Sequence, residues 1–324
     1  MRRREFAFRL SSLLIGSVAS LSSTFAAQFP GPGPLRLIAG ASPGSVADLL
    51  ARAIGEQLSL NLRVPVIVEN KAGASGVLAS QAVLAAPADG MTLLVLSNAL
   101  VINPFVIPVE FDPIRDFRGV AHLGSMPHLL VVPQTSPYHS VAELIAGARA
   151  KSLTFASAGI GSASHFAAEK FAMAARIDSV HVPFKNAVDA VTATVTGQID
   201  WLVAAPVGAV TEWIRTQRLV ALAVTAPTRF PSLPDVPTLA QSGIRGADST
   251  IWVGLFASSR TPREIIARLN SATLAALQSK VAQAQLRNLG AESQPLTPEE
   301  LDALVLREYE SARDVAKAAK ISVK

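Results

Sequence analysis

The residues of this chain best placed to do chemistry are small ones. They sit in two Gly/Ser turns, residues 40–48 and 157–165, each leading into a helical apolar periodicity. In the second, Phe155-Ala-Ser-Ala-Gly-Ile-Gly-Ser-Ala-Ser-His165, β-prone residues pass into a turn holding Gly159, Gly161, Ser162 and Ser164. Phe166, Ala167, Lys170, Phe171 and Ala174 then recur at helical spacing. In the first, strand-like Leu35–Ala39 meets Gly40-Ala-Ser-Pro-Gly-Ser-Val-Ala-Asp48, with Val46, Leu49, Leu50, Ala53, Ile54 and Leu58 on one helical face. A helix that begins in such a turn presents unpaired backbone N–H groups and a partial positive charge. The chemistry on offer is anion binding, a carboxylate or phosphate held by N–H groups and hydroxyls. Ser162 or Ser164 alone is an ordinary N-cap; the recurrence of the turn is what points to a ligand.

Three other chemistries match fragments of these turns and fail on detail. Gly40-Ala-Ser-Pro-Gly44 fits the G-x-S-x-G nucleophile elbow and makes a secreted serine hydrolase of α/β type, using Ser42 or Ser162, the alternative reading. That mechanism takes an oxyanion donor from the N–H of the residue after the serine, and here that residue is Pro43, which has none. The Gly159–Ser164 loop comes near a dinucleotide-binding pattern but lacks its third glycine, and Asp178 falls before the next strand instead of at its carboxyl end; no cofactor is expected. His122, His128, His139, His165 and His181 show no metal-ligand spacing, so no metal is expected. Without a single Cys the chain has no thiolate site, disulfide or lipid-anchored cysteine. Asp48 and His165 lie in the first turns of their helices, where capping and packing explain them as readily as ligand contact.

The elements that must position these turns alternate strand and helix. After the first turn come a strand at Val64–Glu69, a helix to Ala86 and a strand at Thr92–Ser97, which puts Gly40–Asp48, Asn70–Gly76 and Ser97–Asn103 on the carboxyl edge of a mainly parallel sheet. A second series follows: strand Leu129–Val132, a helix capped by Ser140 and Glu143, the second turn, then strands at Ser179–Pro183, Asp200–Val203 and Leu219–Val224. Pro227–Pro237 reads as a linker; a strand at Thr250–Ala257 and helices from Pro262, Lys280 and Thr297 complete the chain. These last helices need a sheet to cover. The expected division is therefore residues 33–125 with 227–324 as domain 1 and 126–226 as domain 2, joined by two interdomain crossovers around a hinged cleft.

Residues 1–26 read as a secretory signal peptide: Arg2, Arg3, Arg4 and Arg9, then the apolar run Leu13–Leu21, then small residues with cleavage expected near Ala26 or Ala27. Arg3-Arg4-Glu5-Phe6 also has the look of a twin-arginine signal. The leader carries four Arg and one Glu, so of the formal +5 only +2 remains in the rest of the chain. A nearly neutral chain with no basic–aromatic cluster argues against nucleic acid as partner.

Across the whole mature length the sequence resembles the periplasmic solute-binding proteins of tripartite tricarboxylate transporters, the Bug family. The residues that carry the likeness are Ser42-Pro-Gly-Ser-Val-Ala-Asp48, Val68-Glu-Asn-Lys-Ala-Gly-Ala-Ser-Gly76, Ala86-Pro-Ala-Asp-Gly90, Ile102-Asn-Pro104, Ser157–Glu169, His181-Val-Pro-Phe-Lys185, Gly197-Gln-Ile-Asp200, Leu222-Ala-Val-Thr225 and Leu233-Pro-Asp-Val-Pro-Thr238. The resemblance implies a two-domain periplasmic-binding-protein fold, a Venus flytrap. It implies a periplasmic monomer that captures a small organic carboxylate and delivers it to membrane permease subunits, without catalysis. Carried over residue by residue, it points to Pro43, Gly44, Ser45 and Asp48 on one side of the cleft and to Ser162, Ser164 and His165 on the other. Ser97, Asn98 and Ala205, which follow strands, are a second rank. The family's first turn usually has two glycines followed by Ser-Thr, where this chain has Gly44, Ser45, Val46 and Ala47; a residue commonly Asn in the second turn is Ile160. If these side chains line the cleft, a ligand with an apolar or aromatic body is favoured over citrate.

Overall fold

The structure, a computed structural model, describes residues 29–321; the leader, its cleavage position and the twin-arginine pattern lie outside the described residues. The chain forms two five-stranded sheets flanked by helices. The first is built from β1 (Leu35–Ala39), α1 (Val46–Leu62), β2 (Val66–Asn70), α2 (Val77–Ala85), β3 (Thr92–Ser97), the short α3 (Ala99–Ile102) and β4 (Phe117–Pro127). The second contains β5 (Leu129–Pro133), α4 (Val141–Ala150), β6 (Leu153–Ser157), α5 (Ala163–Ala175), β7 (Ser179–Pro183), α6 (Ala187–Val195), β8 (Trp201–Ala204), α7 (Ala209–Arg215) and β9 (Leu219–Val224). The chain then returns to the first sheet as β10 (Thr250–Ser258), followed by α8 (Arg263–Leu277), α9 (Lys280–Leu289) and α10 (Pro298–Ala318).

Strand orders are β2-β1-β3-β10-β4 and β7-β6-β8-β5-β9. Central strands are continuous apolar runs, as burial on both faces requires: Leu93 to Leu96 in β3 and all of β5 are buried. One face of the first sheet is covered by α1, α8 and α9 over a core that includes Leu50, Ile54 and Leu269; α2, α3 and α10 cover the other over Leu94, Trp252 and Leu301. The α10 helix starts in a capping box, Thr297 accepting from the Glu300 N–H while the Glu300 carboxylate takes the Thr297 N–H.

One expectation is refined and one needs correction. In each sheet four strands run one way and a single strand runs against them: β1 pairs in parallel with β2 and β3, and β6 with β7 and β8, while β10 runs antiparallel to both β3 and β4, and β5 to both β8 and β9. The antiparallel members, β5 and β10, are the strands by which the chain enters a sheet from the other one, with no covering helix to reverse its direction. Residues 227–249 also belong with the second sheet and not the first. Thr238 bridges Val224 in parallel, Leu239 and Ala247 enter the core under α4 and α5, and Phe230 packs with Leu129 and Val224. The prolines of this stretch forbid regular structure without preventing burial.

Where the two connections pass side by side, three residues tie them together. The His128 N–H donates to Thr225 Oγ1 (2.9 Å), the Thr225 N–H donates to the His128 carbonyl (3.0 Å), and the Ser249 N–H donates to the Thr225 carbonyl (2.9 Å). The Thr225 hydroxyl has the His128 and Ser249 carbonyls as acceptors, and Ser249 Oγ lies 3.3 Å from His128 Nδ1. Thr225→Val deletes the hydroxyl and strands the buried groups it serves; we expect unfolding free energy to fall by roughly 1–3 kcal/mol in urea titrations, and an unchanged midpoint would show that the tie is dispensable.

His122 and His128 are both held neutral by burial, their pKa pushed down to about 4 from an ordinary 6.5. Between those values the unfolded chain binds protons that the folded chain does not. Their contribution to stability is therefore whole above about pH 6.5 and is lost as pH falls toward 4. Urea unfolding at about pH 5 should show lower stability than at about pH 7, with equal values contradicting this account.

Candidate functional site

The two Gly/Ser turns are built on one plan. Residues 42–48 and 159–165 share a pattern of backbone hydrogen bonds: the Ser45 N–H donates to the Ser42 carbonyl at 3.1 Å, and the Ser162 N–H donates to the Gly159 carbonyl at 3.1 Å. Gly44 and Gly161 occupy the third position of these turns at φ +78° and +79°, a left-handed conformation that L side chains rarely adopt. Ser45 and Ser162 are then the N-caps of α1 and α5; each side chain accepts the N–H three residues on, from Asp48 and His165 respectively.

The reciprocal bond is the part that sequence reasoning missed. The Gly44 N–H donates to Asp48 Oδ2 at 2.9 Å, and the Gly161 N–H donates to His165 Nδ1 at 3.3 Å. In both turns the third helical residue reaches back and takes the glycine amide. The N–H groups left without an acceptor among the described residues are those of the first two helical positions, Val46 and Ala47 in one turn and Ala163 and Ser164 in the other.

This placement reassigns several expected contacts. Asp48 is 2% exposed, and besides Gly44 its carboxylate accepts from Arg52 Nε and Asn70 Nδ2, each at 2.9 Å; Arg52 Nη2 in turn donates to Asn70 Oδ1. Burial alone would push the Asp48 carboxyl up; the hydrogen bonds from Arg52, Gly44 and Asn70 outweigh it and hold the carboxyl below its ordinary value. Asp48 therefore braces the turn from behind, and so does His165, 3% exposed. The Gly44 amide, expected as a donor, is already committed, and Pro43 is exposed with no donor to offer. Ser162 Oγ lies 2.7 Å from the Gly159 carbonyl and 3.1 Å from Ser164 Oγ, which accepts from the Ala158 N–H. Neither Ser42 nor Ser162 shares a hydrogen bond with an imidazole or carboxylate among the described residues, so neither has the base a serine nucleophile needs.

Of the second-rank residues, Ser97 caps locally, its Oγ accepting the Ala99 N–H. Asn98 is 7% exposed; its N–H donates to the Trp252 carbonyl and its Nδ2 to the Thr250 carbonyl, while Oδ1 is buried without a partner. Ala205 and Val207, after β8, pack against the first sheet's core beside Ala41 and Val46. Gly161 meets the first sheet at Val106 and Asn103; a Cβ there would lie 2.9 Å from Val106 Cγ2. The loops after β1, β3, β6 and β8 thus gather where the two sheets meet. A cavity of about 260 Å³ also opens there, lined by Asn98, Val101, Ala163, Phe166, Lys170 and Glu308 among others; it reaches the start of α5 but not residues 40–48. Beneath the second turn, Trp201, Phe155, His181 and His165 form a column of stacked rings. Asn70 and His181 stood among residues the sequence marks out, but nothing in their spacing revealed that they brace a turn from other strands.

The comparisons with known proteins give the chain a family and a fold. Residues 50–319 match the model of the tripartite tricarboxylate transporter family receptor. The chain is 34% identical over 281 residues to the UPF0065 protein in the tcbD-tcbE intergenic region of Pseudomonas sp. (strain P51), covering 86% of this chain and 83% of that one. Among solved structures, MatC (Rpa3494) from Rhodopseudomonas palustris with bound malate is 32% identical, with a TM-score of 0.78 over 88% of this chain and 99% of that one. R. palustris Rpa4515 with adipate is 29% identical, with a TM-score of 0.82 over 90% and 100%.

Because Asp48 ties α1 to β2 through Asn70, Asp48→Ala leaves the Gly44 N–H without its acceptor and removes one of the two acceptors of Asn70 Nδ2, the Ala41 carbonyl remaining. We expect a loss of roughly 2–3 kcal/mol in unfolding free energy by urea titration; a change within 0.5 kcal/mol or so would mean that the turn supports itself.

Proposed function

This chain belongs to the tripartite tricarboxylate transporter receptor family, and from that premise we propose that it is a periplasmic receptor which captures a small carboxylate between its two α/β units and presents it to a membrane permease. The observation that carries the proposal is the duplicated turn. Each unit contributes a helix start with two N–H groups that have no acceptor among the described residues, on the edge where the units meet. Two such ends match a ligand with two acidic groups, or one acid and a polar tail, and the helix dipoles supply the positive potential. Relatives holding malate and adipate support the ligand class. Ile160, 38% exposed, and the half-buried Val46 favour a ligand whose body between the acids is apolar, whereas Ala47, 5% exposed, packs into the first sheet's core and takes no part.

The proposed donors can be removed without disturbing the helices. Proline is favoured at the first helical position and needs an extended residue before it; Ser45 (φ −70°, ψ 162°) and Ser162 (φ −72°, ψ 157°) already have that conformation. Val46→Pro and Ala163→Pro each delete one N–H. Adipate, malate and phenylacetate should first be ranked by thermal shift, which a true ligand raises with concentration. Each proline variant should then weaken the best ligand by roughly 10–100-fold in calorimetry while its ligand-free melting temperature stays near that of the parent. Undiminished affinity in both variants would remove these turns from the site.

A further inference from the structure

The two turns differ in one chemically decisive respect, the acceptor that takes the glycine amide. In the first it is a carboxylate, Asp48 Oδ2; in the second it is an imidazole nitrogen, His165 Nδ1. A carboxylate held below its ordinary pKa remains an acceptor across the mildly acidic range. An imidazole accepts only while that nitrogen carries no proton.

We propose that His165 is a positioning residue that locks the second turn through the Gly161 amide, and that protonation of its ring opens the turn and releases the carboxylate. The release half of this proposal rests on the function proposed above; the lock rests on the turn alone. With Nδ1 accepting, the ring proton sits on Nε2, which faces Glu169 Oε1 at 3.6 Å one helical turn along α5. A second proton can enter only at Nδ1, where it would stand against the Gly161 N–H, donor facing donor.

The other groups packed on the ring are accounted for. From β7, His181 lies parallel to His165 at 3.8 Å and 11°, and its Nε2 is 2.7 Å from Ser157 Oγ on β6. Burial, with the neighbouring His165, pushes His181 down to about 3, which keeps the His181 ring neutral. Phe155 on β6 and Phe166 on α5 complete the surroundings, and Lys170 points elsewhere, to the Asp248 carbonyl. Gly161 itself has no room to move without consequence, since it sits against Val106 and Asn103 of the first sheet's loop. Opening the turn therefore disturbs both the donor pair at Ala163 and Ser164 and the contact between the units.

The first turn shows how to remove the titration and keep the bond. Asp48 demonstrates that a short side chain at the third helical position reaches the glycine amide, so His165→Asn offers Oδ1 as an acceptor that does not titrate. In 15N-labelled protein titrated from about pH 8 to about pH 5.5, the Gly161 amide should shift with the same midpoint as the His165 ring nitrogens while Gly44 stays still. In His165→Asn the Gly161 shift should vanish. Calorimetry with adipate and malate should show affinity falling by about tenfold over that range in the parent and by much less in His165→Asn, which shares any protonation of the probe itself. A Gly161 amide indifferent to a titrating His165 ring overturns the lock, and so does an undiminished pH dependence in the variant. Protein that binds neither probe at any pH refutes the functional reading and the release with it, while the amide titration still decides the lock.

Discussion

The constraint on which this structure turns is that an α-helix begins with backbone N–H groups its own ladder cannot satisfy. Of the other eight described helices four answer it with a side-chain cap, as Asn186 does for α6 and Ser279 for α9; at α4 the Glu143 carboxylate also reaches back, to the His139 N–H, and α10 has a capping box. At α1 and α5 the answer is fuller and yet deliberately incomplete in its effect. A left-handed glycine turns the chain so that its amide reaches the third helical side chain, while the N-cap serine takes that residue's N–H. The loop is pinned at both ends and the two amides between are left facing out. The rigidity of the pinned part is what makes the free part usable, since donors already held in place lose little entropy when a ligand arrives.

The sheet topology puts two such starts in one place. Parallel β-α connections set α1 after the carboxyl end of β1 and α5 after that of β6, and each sheet's carboxyl edge faces the other. The chain then needs strands that can cross and return, which is why β5 and β10 run against their neighbours. Their approach is tied by hydrogen bonds among His128, Thr225 and Ser249, which leave His128 Nε2 buried without a partner, between two units that otherwise meet through loops, α5 and α10. Polar pairing at this point has a physical advantage over apolar packing: hydrogen bonds hold direction as well as distance.

Much of this was legible in the sequence. Apolar runs such as Leu93–Leu96, the Ser140 and Thr297 caps, and the repeated Gly-Ser turn gave the elements, their order and the edge on which to look for a site. The failures were of two kinds. Direction and partnership across the crossovers were hidden: Thr250–Ala257 reads as a strand in either orientation, and the prolines of 227–237 read as a linker although Phe230 is buried and Leu233 and Val236 pack half-buried against the same core. The role of Gly44 was misjudged for a subtler reason. Whether a backbone amide is free depends on which way a glycine turns it and on what reaches back, and neither is written in residue type; Asp48 looked as much like a ligand contact as like the brace it is.

The bracing also bears on specificity. If the carboxylate is held by N–H groups of residues 46, 47, 163 and 164, the contact is indifferent to the side chains at those positions, provided the glycine, the cap serine and the bracing residue remain. Those side chains are then free to vary against the body of the ligand. Val46 and Ala47 stand where the family commonly has hydroxyl residues, and Ile160 where it commonly has Asn, without any change to the frame that carries them. A receptor built this way separates what it grips from what it selects: the grip is in the backbone, which all members of such a fold can share, and the selection is in a few side chains projecting from it.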